Sequence, residues 1–290
     1  MKVPGYGRLI RNIRRYRYIT KSDFSPVFVC GVGGSGNTLI SALIDERFET
    51  CGFADESALY APSSNLFNSP STTKFNNIFD YYDALKITEP ADSDRFHKDL
   101  CEIYRQYVEE PRNQVLIDKA PNSSMVRVEA LSKAFPEAFF ILVWRDPLVH
   151  IEGLIRKWPL FGNSGIHEVI EFWKLIHEEF VSSIKSSQVK AGAICFEDFL
   201  EDPEIFMKDI GTFCSLTPRK KIKTRKKIEN KKGFALRNVT GGKIKIDKLA
   251  SNIEASQYSD FVRKELEGTV DSLKNQVQTI SAAAVLNNDK

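Results

Sequence analysis

Short apolar runs alternate with amphipathic segments along most of this chain. Pro26 to Val32 (PVFVCGV) is apolar and partly β-branched, the pattern of a strand buried on both faces. A glycine-rich turn follows, then TLISALIDERF, in which Leu39, Ile40, Leu43 and Ile44 recur at helical spacing. Residues 96–109 have the same periodicity. Gln114 to Ile117 reads as a second short strand leading into Asp118-Lys119-Ala120-Pro121, and Ser123 to Phe135 as a helix. Ala138 to Trp144 (AFFILVW) is the clearest buried strand. It stops at Arg145-Asp146-Pro147, where proline suits the first turn of a helix. A long helix is predicted over about 165–185, then a strand over Ala191 to Phe196 running into Glu197-Asp198-Phe199-Leu200. Strands alternating with helices predict an α/β fold, a single domain whose mostly parallel sheet is covered by helices on both faces. We expect that domain over residues 25–281, after a basic arm at 1–24 and before a frayed tail at 282–290.

Residues 61–76, rich in Ser, Asn, Pro and Thr, read as a loop that either gates a site or lies idle at the surface. In the arm, Arg8, Arg11, Arg14, Arg15 and Arg17 alternate with Leu9, Ile10, Ile13 and Tyr16. That pattern reads as a solvated arm packed on the domain, and peripheral contact with an anionic membrane is the alternative. Composition narrows the class. With 42% hydrophobic and 27% charged residues in 290, the chain is globular, neither disordered nor fibrous. A net charge of +3 is too small to name a partner. No window is apolar enough for a transmembrane helix, and residues 1–21 lack the apolar stretch of a secretory signal. Five scattered cysteines without a CxxC pair fit reduced thiols in a cytoplasm. Four histidines, none at ligand spacing, argue against a metal site.

The candidate chemistry starts in the first turn. Gly31-Val32-Gly33-Gly34-Ser35-Gly36-Asn37-Thr38 joins a strand to a helix, where successive N–H groups and the helix dipole attract an anion. Gly33, Gly34, Ser35, Gly36, Asn37 and Thr38 are the candidate phosphate-binding residues. The spacing matches a nucleotide P-loop, GxxxxGK[ST], except that Asn37 stands where the lysine belongs. Without that charge, and without a Walker B acid, ATP or GTP hydrolysis is disfavoured.

Three segments together resemble the sulfotransferases that use 3'-phosphoadenosine 5'-phosphosulfate (PAPS). VFVCGVGGSGNTLISALID is similar to their 5'-phosphosulfate loop. Lys119-Ala120-Pro121 with FPEAFFILVWRDP resembles their K-x-P and RDP run, and CFEDFLEDPEIFMKDIGTFCSL resembles a later strand-to-helix segment. The resemblance spans about residues 25–216 and is nearest to the bacterial and tyrosylprotein-type branch. It implies a P-loop-like fold related to nucleotide kinases, with PAPS as co-substrate and no metal. Arg145 would hold the 3'-phosphate, as a bidentate guanidinium can; an ion pair to Asp146 or another helix is the plainer alternative. Lys119 would stabilise the bridging oxygen, or simply lie exposed in a loop. The sequence departs from the family twice. Gly34 stands where a basic residue precedes Ser-Gly, and Gly153 replaces a serine that bonds the 3'-phosphate, a loss that Arg156 or Lys157 would offset. The resemblance puts the general base at Glu56, with Asp55 as runner-up; an exposed acid without a role is the alternative.

Other features stay open. Arg219 to Lys232 is densely basic and fits a polyanion, a solvated helix face or cofactor contacts. Lys231-Lys232-Gly233, Arg237 and the turn Thr240 to Lys243 also lie in this C-terminal third. His167 and His177 read as packed or exposed; His150, in the first helical turn after Arg145, reads as packed, with an approach to the donor as the alternative. The leading expectation is a PAPS-dependent sulfotransferase acting on a hydroxyl or amine of a small metabolite or saccharide. A P-loop kinase or phosphotransferase and a non-catalytic polyanion-binding protein are the competitors, and nucleic acid is disfavoured as a partner.

Overall fold

The computed structural model describes residues 24–52, 72–86, 93–107, 115–220 and 259–280. The basic arm, Asp55, Glu56, most of the 61–76 loop, the basic run beyond Lys220, the 240–243 turn and the tail lie outside them.

Six strands form one parallel sheet: β1 (Ser25–Cys30), β2 (Cys51–Gly52), β3 (Val115–Lys119), β4 (Phe139–Trp144), β5 (Lys190–Cys195) and β6 (Gln278–Thr279). Their spatial order is β2-β3-β1-β4-β5-β6. The side-chain period of two sends alternate residues to opposite faces. Phe28, Cys30, Phe140, Leu142 and Trp144 enter one core, whereas Val27, Val29, Ile141 and Val143 enter the other. Both faces of β1 and β4 are therefore dry, which is why these strands read as unbroken apolar runs.

On the second core lie α1 (Asn37–Arg47), α8 (Phe196–Glu201) and α9 (Pro203–Phe213). The first core packs beneath α2 (Ile78–Leu85), α3 (Ser93–Tyr107), α4 (Val128–Ala134), α5 (Pro147–Lys157), α6 (Pro159–Asn163), α7 (Ile166–Ser187) and α10 (Ser259–Gln276). The expected α/β architecture, with a parallel sheet and helices on both faces, is present.

Two expected boundaries move. Asp118 and Lys119 continue β3 rather than following it, paired with Phe28 and Val29 of β1. The helix expected from Ser123 begins only at Val128. Residues 120–126 form turns instead, with Asn122 at φ 64°, a value no helix accommodates.

The topology fixes where a ligand can bind. From β1 the chain crosses to β2 and β3 on one side, and β4 then lies on the other. The carboxyl end of β1 is thus the switch point at which open α/β sheets hold ligands. Lys119 ends β3 beside β1, Arg145 follows β4, and Phe196 follows β5 at the level where Trp144 pairs with Cys195.

Candidate active site

Helix α1 begins without a side-chain cap. Gly36 holds its N-cap position in a left-handed conformation. The first-turn amides of α5 and α9, by contrast, are bonded by Asp146 and Asp202, with Pro147 and Pro203 opening each helix. Within the glycine loop, Ser35 N–H donates to Val32 O at 3.0 Å and Gly33 N–H to Asn122 Oδ1 at 2.9 Å. The N–H groups of Gly34, Gly36, Asn37 and Thr38 have no acceptor among the described residues. Four unsatisfied donors at the positive end of an 11-residue helix make an anion cradle.

Glycine is needed at two positions here. Gly36 has φ 106°, and a Cβ on it would lie 2.3 Å from carbons of the Phe196 ring. Gly34 has φ 92°, and its Cβ would come within 3.2 Å of the Trp158 indole. The place where the resembling family carries a basic side chain is therefore covered by a tryptophan.

Side chains divide the loop into inward and outward positions. Ser35 is buried, and its hydroxyl donates to Asn37 Oδ1 at 2.8 Å. Asn37 is also buried and donates from Nδ2 to Gly31 O at 3.1 Å. Asn37 is thus a brace across the loop and offers a ligand only its backbone N–H. It does no work of a P-loop lysine, which weakens the kinase reading further.

Among the described residues, two cations meet this loop. Lys119, buried at the end of β3, donates from Nζ to Thr38 Oγ1 at 3.4 Å. The plain reading of Lys119 as an exposed loop residue is overturned, because the strand extends through it. Arg145 donates from Nη1 to Gly34 O at 3.3 Å, and its guanidinium lies over Phe196, 5.4 Å from the ring centre. Its Nε donates to Glu197 Oε1 at 3.2 Å. The ion pair thus runs to Glu197 and not to Asp146, whose carboxylate caps α5 through Leu148 and Val149 N–H. The other Glu197 oxygen accepts the Asp146 N–H at 3.1 Å and the Cys195 thiol at 3.4 Å. Burial and the neighbouring carboxylates push the Cys195 thiol up to about 12, so it stays protonated.

Arg156 stands exposed in the last turn of α5, and no hydrogen bond or ion pair ties it to this group. The adjacent Lys157 ammonium lies 4.4 Å from the Trp158 ring centre. A Cβ on Gly153 would meet nothing within 4 Å, so that position has lost a hydroxyl without gaining a neighbour. Glu56 and Asp55 cannot be related to the loop, since both lie outside the described residues.

Two contributors, Asn122 and Trp158, were not legible in the sequence, and neither was the partner of a third, His150. Asn122 accepts the Gly33 N–H, bonds its own N–H to Gly31 O at 2.9 Å, and donates from Nδ2 to Tyr81 Oη at 2.8 Å. Its only local signal is that asparagine after Pro121 tolerates positive φ. Trp158 reaches the loop from the α5–α6 junction. His150 is fully buried and faces Gly33 O at 3.1 Å, so it touches the loop wall rather than a donor. His177 is packed, as expected, with Nδ1 2.6 Å from Trp173 O. His167 is exposed against the Phe261 ring, 4.7 Å between centres.

Among the described residues, no group of three or more His, Cys, Asp or Glu is arranged to hold a metal, and no helix is long and apolar enough to cross a membrane. All five cysteines are free thiols.

Among solved structures, the chain is similar to sulfotransferase STF1 from Mycobacterium tuberculosis H37Rv, with 14% identity, 71% of each chain covered and a TM-score of 0.47. It is similar to a sulfotransferase from Alicyclobacillus acidocaldarius, with 13% identity over 87% of this chain and 96% of that one, at a TM-score of 0.45. The sulfotransferase domain of the Synechococcus PCC 7002 olefin synthase has 16% identity over 68% and 76%, at 0.41. No curated protein matches. These overlaps are too loose to carry the assignment, which rests on sequence. The model of the sulfotransferase family matches residues 26–219 of 290, a stretch that takes in the glycine loop, Lys119, Arg145 and Glu197. With the greater part of the chain matched, and with the cradle and its two cations inside that part, the chain belongs to the sulfotransferase family.

Proposed function

We propose that this sulfotransferase takes its sulfuryl group from PAPS and delivers it to a hydroxyl or amine of a small metabolite or saccharide. The observation that carries this reading is the convergence of one uncapped helix N-terminus with two cations from neighbouring strand ends. The donor carries a phosphosulfate at one end and a 3'-phosphate at the other. The four N–H groups of the loop and Lys119 fit the first, and the guanidinium of Arg145 fits the second.

PAPS, when bound, supplies a sulfuryl group joined to a phosphate that leaves readily. The chain's own residues supply position and charge. The Gly34, Gly36, Asn37 and Thr38 amides orient the anion, and the dipole of α1 adds to their field. Lys119 holds a positive charge beside Thr38, where negative charge on a departing phosphate oxygen is stabilised. Glu197 keeps Arg145 against the loop through Nε and leaves other N–H donors of the guanidinium for a phosphate. Glu56 takes the proton from the attacking hydroxyl or amine. The acceptor gains the sulfuryl group and loses that proton, and the adenosine bisphosphate PAP remains. The proposal calls for no metal.

The test is thermal unfolding with PAP, with ATP-magnesium and with buffer alone. PAP at about 100 times its dissociation constant stabilises the fold by roughly 2.7 kcal/mol. For a protein of this size that is on the order of 5 °C. We expect that shift in the wild type and its disappearance in Arg145→Ala. A shift with ATP-magnesium and none with PAP refutes the donor assignment and returns the loop to a kinase.

A further inference from the structure

We infer that His150, locked in one tautomer by Trp173, is a positioning residue that fixes the Gly33–Gly34 peptide so that the Gly34 N–H faces the anion cradle. This deepens the donor reading above and rests on it.

The argument starts from Trp173, which is fully buried in α7. An indole N–H can only donate. Trp173 Nε1 is 3.2 Å from His150 Nδ1, so that nitrogen must be the bare acceptor. The ring proton is then on Nε2, which lies 3.1 Å from Gly33 O and donates to it. The opposite assignment would set two protons against each other at Nδ1 and two lone pairs against each other at Gly33. Burial also keeps the ring neutral, lowering its pKa to about 3, with Arg145, His177 and Lys157 adding like-charge repulsion.

The consequence lies one atom further along the chain. Gly33 C=O and Gly34 N–H belong to one peptide unit. The described residues contain no cis peptide, so the two bonds point in opposite directions. A carbonyl turned inward to His150 therefore turns the amide outward. The Gly34 N–H is one of the four without an acceptor. Asn122 fixes the preceding amide, so Gly33 is held at its N–H by one side chain and at its C=O by another. This grip is needed because glycines on both sides of the peptide make its rotation easy. A flipped peptide would present a carbonyl oxygen to the anion in place of a donor. His150 thus decides the sign of the field at one corner of the cradle, although it touches no ligand.

The test uses the full chain, with PAP as the probe, in wild type, His150→Phe, His150→Gln and Trp173→Phe. Calorimetric titration is expected to weaken at least tenfold in His150→Phe. The amide nitrogen of glutamine reaches about as far as Nε2, so His150→Gln is expected to return to within a few-fold of wild type. Trp173→Phe keeps the imidazole but frees its tautomer, and is expected to fall between these two. A purely structural role would lower the unfolding temperature of these variants without separating phenylalanine from glutamine in PAP affinity. Nitrogen-15 spectra of labelled histidine are expected to give His150 as the Nε2–H tautomer from pH 6 to 8, with no ligand added. An Nδ1–H or charged ring in that range overturns the inference, and so does unchanged PAP affinity in a folded His150→Phe. If the wild type binds no PAP, the donor reading fails and this inference fails with it; if only the variants are normal, the donor reading stands alone.

Discussion

The contact between Gly36 and Phe196 gives the sharpest test of how the glycine loop is built. Gly36→Ala adds one carbon at φ 106°, where the Cβ would sit 2.3 Å from two carbons of the Phe196 ring. The backbone conformation alone costs an L-residue about 1–2 kcal/mol. Forcing a methyl group against an aromatic ring adds about 1–3 kcal/mol of overpacking. The sum, about 2–5 kcal/mol, lowers the melting temperature by roughly 5–15 °C for a domain of this size. The two parts are separable, since only the second involves Phe196. Urea unfolding of wild type, Gly36→Ala, Phe196→Leu and the double variant closes a cycle. We expect the double variant to be more stable than additivity predicts by about 1–3 kcal/mol, the contact part of the penalty. The φ part remains. Strict additivity, or a loss below about 1 kcal/mol in Gly36→Ala, would mean that the loop does not pass under Phe196 as described.

Asn122→Ala leaves the Gly33 N–H without its acceptor and puts alanine at φ 64°, so we expect a loss of about 2–4 kcal/mol in urea unfolding. Asn122→Gly should regain about 1 kcal/mol of it, because glycine relieves the backbone strain but not the missing bond. His150 and His177 have pKa values lowered by burial from 6.5 to about 3 and about 4, so the unfolded chain takes up their protons first. Stability is then full above pH 6.5 and falls as pH drops toward 4, by about 1.4 kcal/mol per pH unit for each histidine. His177→Gln should remove its half of that slope in unfolding curves taken from pH 7 to 5, and an unchanged slope would contradict its burial as a neutral ring. Under the proposed function, Lys119→Met and Glu56→Gln each lower kcat by about 100-fold or more, while Glu56→Gln leaves PAP binding intact; normal turnover in either variant removes that residue from its role.

Much of the architecture was legible because burial on both faces leaves a plain mark. Val27 to Cys30 and Phe140 to Trp144 are apolar at every position, which in a chain alternating with amphipathic helices means central parallel strands. Pro147 marked the start of α5, because proline suits a first helical turn, and the glycine motif marked the turn between β1 and α1. Local pattern failed where long-range contacts decide. A helix is expected from Ser123, yet Asn122 is drawn into a left-handed turn by bonds to Gly31, Gly33 and Tyr81, the last 41 positions away. Lys119 looked like a loop residue until pairing with Val29 carried β3 through it.

The sequence alone therefore determined the fold class and the position of the loop, which follow from periodicity and a short motif, while Lys119 and Arg145 were singled out by the resemblance to the sulfotransferases. What those groups face is set by long-range packing. It turned the Asn37 side chain inward as a brace, paired Arg145 with Glu197 across 52 residues, and brought Trp158 over Gly34. It also buried His150 between Trp173 and Gly33. These partners lie on separate elements that meet only when the sheet closes at the carboxyl end of β1, so no spacing along the chain encodes them.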